Sequence, residues 1–170
     1  LKELQETNIE LKNRLGQLEV AHSVLRSQAM ALQTDLNRAM RIQQGLLPTE
    51  LPFSDKVSLA AIYQPAGKVG GDFFDVYSVD ENHLALYVAD TTGHGVSSAL
   101  LTMFLKHCVR GVCARGDAAT VRDPGLMLRE INRGIIGEMF GRDLFVSMIY
   151  LVLNVDTGEL AYSSAGHPPM

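Results

Sequence analysis

The sequence predicts an α+β fold, in which an antiparallel β-sandwich is flanked by helices and preceded by a long coiled-coil helix. The first 47 residues carry a seven-residue apolar repeat that no proline interrupts. After this repeat, strand-like and helix-like segments are grouped along the chain, which favours antiparallel pairing over a doubly wound sheet. With 170 residues, of which 46% are apolar, the chain can bury one domain core and carry a helical extension.

Residues 1–47 are predicted to form a parallel, dimeric coiled-coil linker. Leucine recurs at every seventh position, and Asn8 falls at the other seam position of the heptad. Leucine at d positions with one asparagine at an a position favours two parallel strands. A single amphipathic helix packed on its own domain is the alternative interpretation. The d-position leucines are Leu4, Leu11, Leu18, Leu25 and Leu32.

Residues 48–170 are predicted to form the domain that follows this linker. Pro48 and Pro52 end the helix, because proline cannot continue its hydrogen bonding. Apolar runs bounded by glycine, proline and polar turns then predict several strands. These strands are expected at residues 57–64, 72–79, 83–90, 144–154 and 159–164.

Two helices are predicted between the strands, at residues 95–115 and 123–139. Both segments carry apolar residues at three- and four-residue spacing. Asp123 is expected to cap the second helix, with Pro124 in its first turn. Asp156-Thr157-Gly158 is expected to form the turn of the final hairpin.

Composition and charge exclude several classes of function. The formal charge of −4 and the pI near 5.7 disfavour nucleic acids and anionic membranes as partners, since both attract basic surfaces. No apolar run is long enough to span a membrane, and no signal peptide is visible. Cys108 and Cys113 fit neither a zinc motif nor a short disulfide. We therefore expect a cytoplasmic protein with reduced thiols and no membrane contact in this segment.

Two acidic motifs flanked by glycines contain the candidate functional residues. Asp72 follows Gly70-Gly71 at the start of one predicted strand, and Asp90 ends the next strand, before a glycine-rich loop. The strands can be hairpin neighbours, so that both carboxylates converge at one sheet edge. Hard cations such as Mg²⁺ and Mn²⁺ bind such oxygen ligands. The structural alternative is that Asp90 caps a turn or a helix.

Other titratable residues are weaker candidates. Asp75 lies three residues after Asp72, so it points to the opposite face of the strand, and we expect it to make structural hydrogen bonds. His94 lies between two glycines and His167 precedes two prolines, which is typical of loop and turn residues. No residue pair resembles a nucleophile with its base.

One alternative enzyme class shares part of the first motif. Gly70-Gly71-Asp72-Phe73-Phe74 is one residue away from the glycine hairpin of diguanylate cyclases. In that family the acidic strand and the Gly-His stretch precede the hairpin, whereas here Gly93-His94 follows it. The cyclase is therefore a remote alternative.

Three segments with distinctive motifs follow one another along the chain. They are Pro65-Ala66-Gly67-Lys68-Val69-Gly70-Gly71-Asp72-Phe73-Phe74-Asp75, Val88-Ala89-Asp90-Thr91-Thr92-Gly93-His94-Gly95-Val96-Ser97-Ser98-Ala99-Leu100 and Ser163-Ser164-Ala165-Gly166-His167-Pro168-Pro169. In this order they resemble the bacterial SpoIIE/RsbU-type serine phosphatases of the metal-dependent protein phosphatase (PPM) superfamily. The resemblance covers roughly residues 39–170.

This resemblance implies a two-metal Mn²⁺ or Mg²⁺ centre. Asp90 would bridge both metals, Thr91 would offer its backbone carbonyl to one of them, and Asp72 would bind a metal directly or through water. Asp75 and Gly71 are candidates of lower rank. The nucleophile implied is a metal-activated water, with no covalent enzyme intermediate.

The resemblance also implies a function in bacterial signalling. The expected reaction is hydrolysis of phosphoserine or phosphothreonine on a regulatory protein of the anti-sigma-factor-antagonist type. An upstream sensor or receiver domain would act through the coiled coil. Families of this type draw further aspartate ligands from after the Gly-His-Pro-Pro segment, so we expect this fragment alone to be inactive. A non-catalytic dimerisation or signalling module that keeps the fold is the competing interpretation.

Overall fold

The computed structural model of the chain describes residues 2–53, 55–138 and 144–168. The chain forms two compact units, Leu1–Arg38 and Ala39–Met170. Helix α1 (Lys2–Gln44) accounts for the described part of the first unit and its last residues belong to the second. In the first unit all five d-position leucines are exposed, each by 57% or more. This stripe of leucines has no partner among the described residues.

The second unit is built on one antiparallel sheet of four strands in the order β1-β2-β3-β4. The strands are β1 (Asp72–Ser78), β2 (His83–Thr91), β3 (Val146–Asn154) and β4 (Leu160–Ala165). Three helices lie between β2 and β3: α2 (Val96–Arg115), α3 (Ala118–Arg122) and α4 (Pro124–Gly137). The α+β class, with an antiparallel sheet flanked by helices, is confirmed. The described residues contain one sheet of the expected sandwich.

Side chains from one face of the sheet and from the helices form the core. Because side chains alternate along a strand, every second residue of β1, β2 and β3 points to this face. The largest of these side chains are almost fully buried, as are Leu105 of α2 and Met127 of α4. The buried aromatic residues from the sheet are Phe73, Tyr87 and Tyr150.

The start of α4 agrees with the sequence pattern. The Asp123 carboxylate accepts hydrogen bonds from the backbone N–H groups of Gly125 and Leu126, at 2.9 and 3.0 Å, and Pro124 opens the helix. These bonds satisfy N–H groups that the first helical turn leaves free. The predicted end at Met139 lies outside the described residues. The short helix α3, capped by Asp117, was not predicted.

The predicted strand at residues 57–64 is wrong. These residues belong to no strand of the described chain, and Ile62 is 93% exposed. An apolar run becomes a strand only where a neighbouring strand pairs with it. Of the described strands, β1 pairs only with β2, so its other edge does not take up residues 57–64.

Candidate metal centre

Asp72 and Asp90 lie directly opposite each other on β1 and β2. Asp72 is the first residue of β1, and Asp90 lies one residue before the end of β2. Residues paired in this way project from the same face with Cβ atoms about 5 Å apart. Both residues are exposed. The convergence of the two predicted carboxylates at one sheet edge is therefore confirmed.

The electrostatic environment of Asp72 reflects this pairing. Partial burial raises the pKa of Asp72, the nearby carboxylate of Asp90 raises it further, and His167 acts in the opposite direction. Burial, and then the charge of Asp72, also raise the pKa of Tyr63. The hydroxyl of Tyr63 is buried without a hydrogen-bond partner among the described residues. A cation between Asp72 and Asp90 would reduce the repulsion between their two carboxylates.

Gly71 allows β1 and the end of β2 to approach closely. The backbone N–H of Thr91 donates to the carbonyl oxygen of Gly71 at 3.1 Å. A Cβ atom on Gly71 would lie 2.8 Å from both the carbonyl oxygen and the Oγ1 of Thr91, closer than real Cβ atoms come. Because Gly71 has no side chain, the Thr91 carbonyl can lie next to its backbone, one residue before Asp72.

The loop after β2 turns sharply into α2. Thr91 is buried, and its Oγ1 donates to the carbonyl oxygen of Ser98 at 3.4 Å. Gly93 and Gly95 have φ values of 83° and 82°, which only glycine adopts without strain. His94, between them, is exposed. This loop holds the backbone of Thr91 against the first turn of α2.

Asp75 belongs to a different environment. It is buried on the helix-facing side of β1, where its carboxylate pairs with Lys106 of α2 at 2.9 Å. Its other carboxylate oxygen accepts from the backbone N–H of Val76 at 3.1 Å. Both contacts agree with the structural role expected from the spacing and leave Asp75 on the opposite face from Asp72.

The structure adds Ser147 and His167, which the sequence interpretation did not include in the site. Ser147 of β3 lies opposite Asp90, so Asp72, Asp90 and Ser147 form a row across three strands. The Ser147 hydroxyl and Nδ1 of His167 are hydrogen-bonded at 3.0 Å. The third resemblance segment contains His167, and that segment was the signal available in the sequence.

The donors at this edge suit a hard cation but do not make a complete site. Within the described residues no group of three or more His, Cys, Asp or Glu side chains could hold a metal ion. Two carboxylates and one backbone carbonyl are all oxygen donors, as Mg²⁺ and Mn²⁺ prefer. A fully coordinated Mg²⁺ takes six ligands, so this set would be completed by water, substrate or other residues.

Comparison with known protein families gives one match over more than half of the chain. Residues 80–170 match the family described as Stage II sporulation protein E (SpoIIE). The matched region includes Asp90, Thr91, Ser147 and His167, whereas Asp72 lies just before it.

Two relatives from Bacillus subtilis (strain 168) are similar in sequence. The phosphoserine phosphatase RsbU is 27% identical over 161 residues, which cover 95% of this chain and 46% of that protein. The phosphoserine phosphatase RsbP is 30% identical over 139 residues, which cover 79% of this chain and 33% of that protein. The chain thus spans less than half the length of either relative.

Solved structures with a similar fold include a phosphatase-type domain from another bacterium. The SiaA-PP2C domain of Pseudomonas aeruginosa aligns with a TM-score of 0.66 and 22% identity, over 81% of this chain and 55% of that one. At this identity the likeness concerns the fold.

As for membranes, none of the helices in the described ranges combines the length and the apolar character that a membrane span requires.

Proposed function

Because the chain belongs to the SpoIIE family, we propose that it is part of a metal-dependent phosphatase that hydrolyses phosphoserine or phosphothreonine on a regulatory protein. The observation that carries the proposal is the pairing of Asp72 with Asp90 beside the Thr91 carbonyl. The relatives named phosphoserine phosphatases support the reaction class. A regulatory protein of the anti-sigma-factor-antagonist type is the proposed substrate.

The proposed metal ligands are Asp90, the Thr91 carbonyl and Asp72, for a centre of two Mn²⁺ or Mg²⁺ ions. Bound there, the ions would activate a water for attack on phosphorus and stabilise the developing charge. The chain's own residues contribute the carboxylates and hold them in place. Gly71 lets the chain before Asp72 lie against the end of β2, because a Cβ atom at this position would clash with Thr91.

A serine nucleophile is a poorer explanation of the site. Ser147 is hydrogen-bonded to His167, but it lies inside β3 directly opposite Asp90. The negative charge of Asp90 opposes formation of an alkoxide at that position. The geometry suits a serine that holds the imidazole of His167 beside the carboxylates. Attack by water therefore remains the proposed chemistry.

We further propose that the linker predicted at residues 1–47 pairs with a second copy as a parallel coiled coil through its part in the first unit, residues 1–38, since Gln43 is buried in the second unit. The exposed leucine stripe of the first unit supports this pairing, since apolar surface of this extent is normally covered. An upstream sensor or receiver domain would act on the phosphatase through this coil. The free thiols of Cys108 and Cys113 fit the proposed location in the cytoplasm.

The function is tested by Mn²⁺-dependent phosphate release from a phosphoserine protein or p-nitrophenyl phosphate by the full-length protein. We expect wild-type activity to require Mn²⁺ or Mg²⁺, and Asp90→Asn to abolish it. Asp156→Asn is the matched control, because Asp156 is exposed in the β3–β4 turn at the opposite end of the sheet. Activity that survives Asp90→Asn would contradict the proposal. A correctly folded wild-type protein without activity would favour the non-catalytic alternative.

A further inference from the structure

Gln43, in the last turn of α1, is a buried polar residue whose position needs an explanation. Its side chain is 2% exposed, although Ile42 and Gln44 on either side are exposed. Burying a primary amide is unfavourable unless its donors and acceptor are paired. The contacts of this amide therefore show what holds it there.

The Gln43 amide binds the backbone of Gly70 in the way that a neighbouring strand would. Its Nε2 donates to the carbonyl oxygen of Gly70 at 2.8 Å, and the N–H of Gly70 donates to its Oε1 at 3.1 Å. Gly70 lies two residues before Asp72, outside β1. The side chain thus pairs a segment of backbone that the sheet itself leaves unpaired.

The same amide also reaches α2. Nε2 of Gln43 donates to Oγ1 of Thr102 at 3.1 Å, and that hydroxyl donates to the carbonyl oxygen of Ala99 at 2.7 Å. Thr102 is completely buried. Helix α2 begins directly after the loop that follows Asp90. One amide therefore connects the segments that lead to both candidate metal ligands.

The path from Gly70 to the site is short. Gly71, the next residue, accepts a hydrogen bond from the N–H of Thr91 and lies in tight contact with the Thr91 carbonyl. A shift of Gly70 would be transmitted to Gly71 and from there to Asp72 and Thr91. Removal of a group that hydrogen-bonds directly to a metal ligand typically changes metal affinity by about 10- to 100-fold. Because Gln43 acts through Gly70 and Gly71, we expect an effect at the lower end of this range.

We propose that Gln43 is a positioning residue of the metal centre, which sets Asp72 and the Thr91 carbonyl through its bonds to Gly70 and Thr102. The inference rests on the proposed function for its effect on the metal. Independently of the metal, Gln43 is proposed to hold the backbone of Gly70 and Gly71 against Thr91. The two claims have different readouts.

The test compares Gln43→Leu with Gln44→Leu in the full-length protein. Leucine keeps the size and helix preference of glutamine but removes the three hydrogen bonds, and Gln44 is the exposed neighbour. For Gln43→Leu we expect the Mn²⁺ concentration for half-maximal activity to rise by about tenfold or more. Saturating Mn²⁺ should restore most of the turnover rate. Gln44→Leu should match wild type.

Hydrogen–deuterium exchange supplies the readout that does not depend on activity. Exchange of the Thr91 N–H should accelerate in Gln43→Leu, while that of Tyr150, in the centre of β3, should stay unchanged. Equal acceleration at both sites, or none at Thr91, would overturn the inference. An unchanged Mn²⁺ requirement in an active enzyme would also overturn it.

If Gln43→Leu fails to fold, Thr102→Val, which loses one of the three bonds, is judged by the same criteria. If the wild-type protein has no metal-dependent activity, the proposed function fails. The exchange comparison alone then decides whether Gln43 positions this backbone.

Discussion

At the scale of single residues, the central feature of the site is a pair of like charges. Asp72 and Asp90 are opposite each other, and the raised pKa of Asp72 reflects burial and this neighbour. In the folded protein the pKa of Asp72 lies above its unfolded value, so ionisation opposes folding increasingly as the pH rises from the unfolded to the folded pKa, and fully above the folded pKa. Binding of a metal would reverse this effect, as in sites that exchange stability for function.

Asp72→Asn should therefore stabilise the metal-free protein at pH 7 while it weakens Mn²⁺ binding. The gain should stay within about 1 kcal/mol, because solvent screens exposed charges. The gain should shrink as the pH falls through the folded pKa of Asp72 and disappear below the unfolded pKa, where the wild-type carboxyl is neutral in both states. Urea denaturation in the presence of a chelator, at pH 7 and at a pH below the unfolded pKa of Asp72, measures this gain in stability. A variant less stable than wild type at pH 7 would show that repulsion is not the dominant effect.

Gly71→Ala should destabilise the protein by about 1–3 kcal/mol, since the added methyl group overlaps the backbone of Thr91. The same displacement should weaken Mn²⁺ binding. Gly137→Ala is the control, because a Cβ atom there meets nothing within 4 Å. Thermal denaturation of both variants measures the difference. Equal stabilities would mean that β1 and Thr91 can separate without cost.

Residue patterns indicated the two aspartates but not their partners. Asp72 and Asp90 could be identified because each lies at the end of a predicted strand and near glycines, which are local features of the sequence. Gln43 contacts Gly70 across 27 positions, and Ser147 contacts His167 across 20. Such contacts depend on how elements pack, and nothing in the local sequence distinguishes Gln43 from the exposed Gln44.

At the scale of elements, β1 is attached to α2 through a buried ion pair. Asp75 of β1 and Lys106 of α2 are both more than nine-tenths buried, and Lys106 also donates to the carbonyl oxygen of Leu46. The Lys106 ammonium also lies 5.6 Å from the centre of the Phe73 ring. These contacts fix the strand that begins with Asp72 against the helix that follows the Asp90 loop.

Lys106→Met should destabilise the protein by about 3–5 kcal/mol, because it leaves the Asp75 carboxylate buried without its cation. The double variant Lys106→Met with Asp75→Asn should recover part of this loss, since no unpaired charge remains. Urea denaturation of the single and double variants gives both values. If the double variant is no more stable than Lys106→Met, the unpaired charge is not the cause.

The boundaries of the elements followed from the sequence where local chemistry sets them. The capping of α4 by Asp123 and the strands on either side of residues 79–82 were predicted closely. The prediction of a strand at residues 57–64 was wrong, because an apolar run does not show whether another strand is close enough to pair with it. The short helix α3 was missed because five residues are too few for a periodic pattern.

At the scale of the whole molecule, the leucine stripe on residues 1–38 is proposed to bind a partner. These leucines are exposed in the isolated chain, and the heptad pattern predicts a second copy as that partner. The outer surface of the same helix carries Val20, which is also exposed but lies outside the seam. The two kinds of apolar residue can therefore be compared directly.

Leu18→Asp should convert a dimer into monomers, because it puts a charge into the apolar seam. Val20→Asp should leave the dimer intact, since position 20 faces outward in the heptad. Sedimentation equilibrium of the full-length protein at micromolar concentration measures both. A wild-type protein that sediments as a monomer, or a Leu18→Asp variant that remains a dimer, would contradict the parallel coiled coil.

The central claim is that Asp72 and Asp90 hold a divalent metal, and counting bound Mn²⁺ in the full-length protein tests it most directly. Equilibrium dialysis or calorimetry should find Mn²⁺ bound by wild type and by the control Asp156→Asn. Asp90→Asn should lose the binding, and Asp72→Asn should weaken it by at least about tenfold. Unchanged Mn²⁺ binding by both Asp72→Asn and Asp90→Asn would contradict the account.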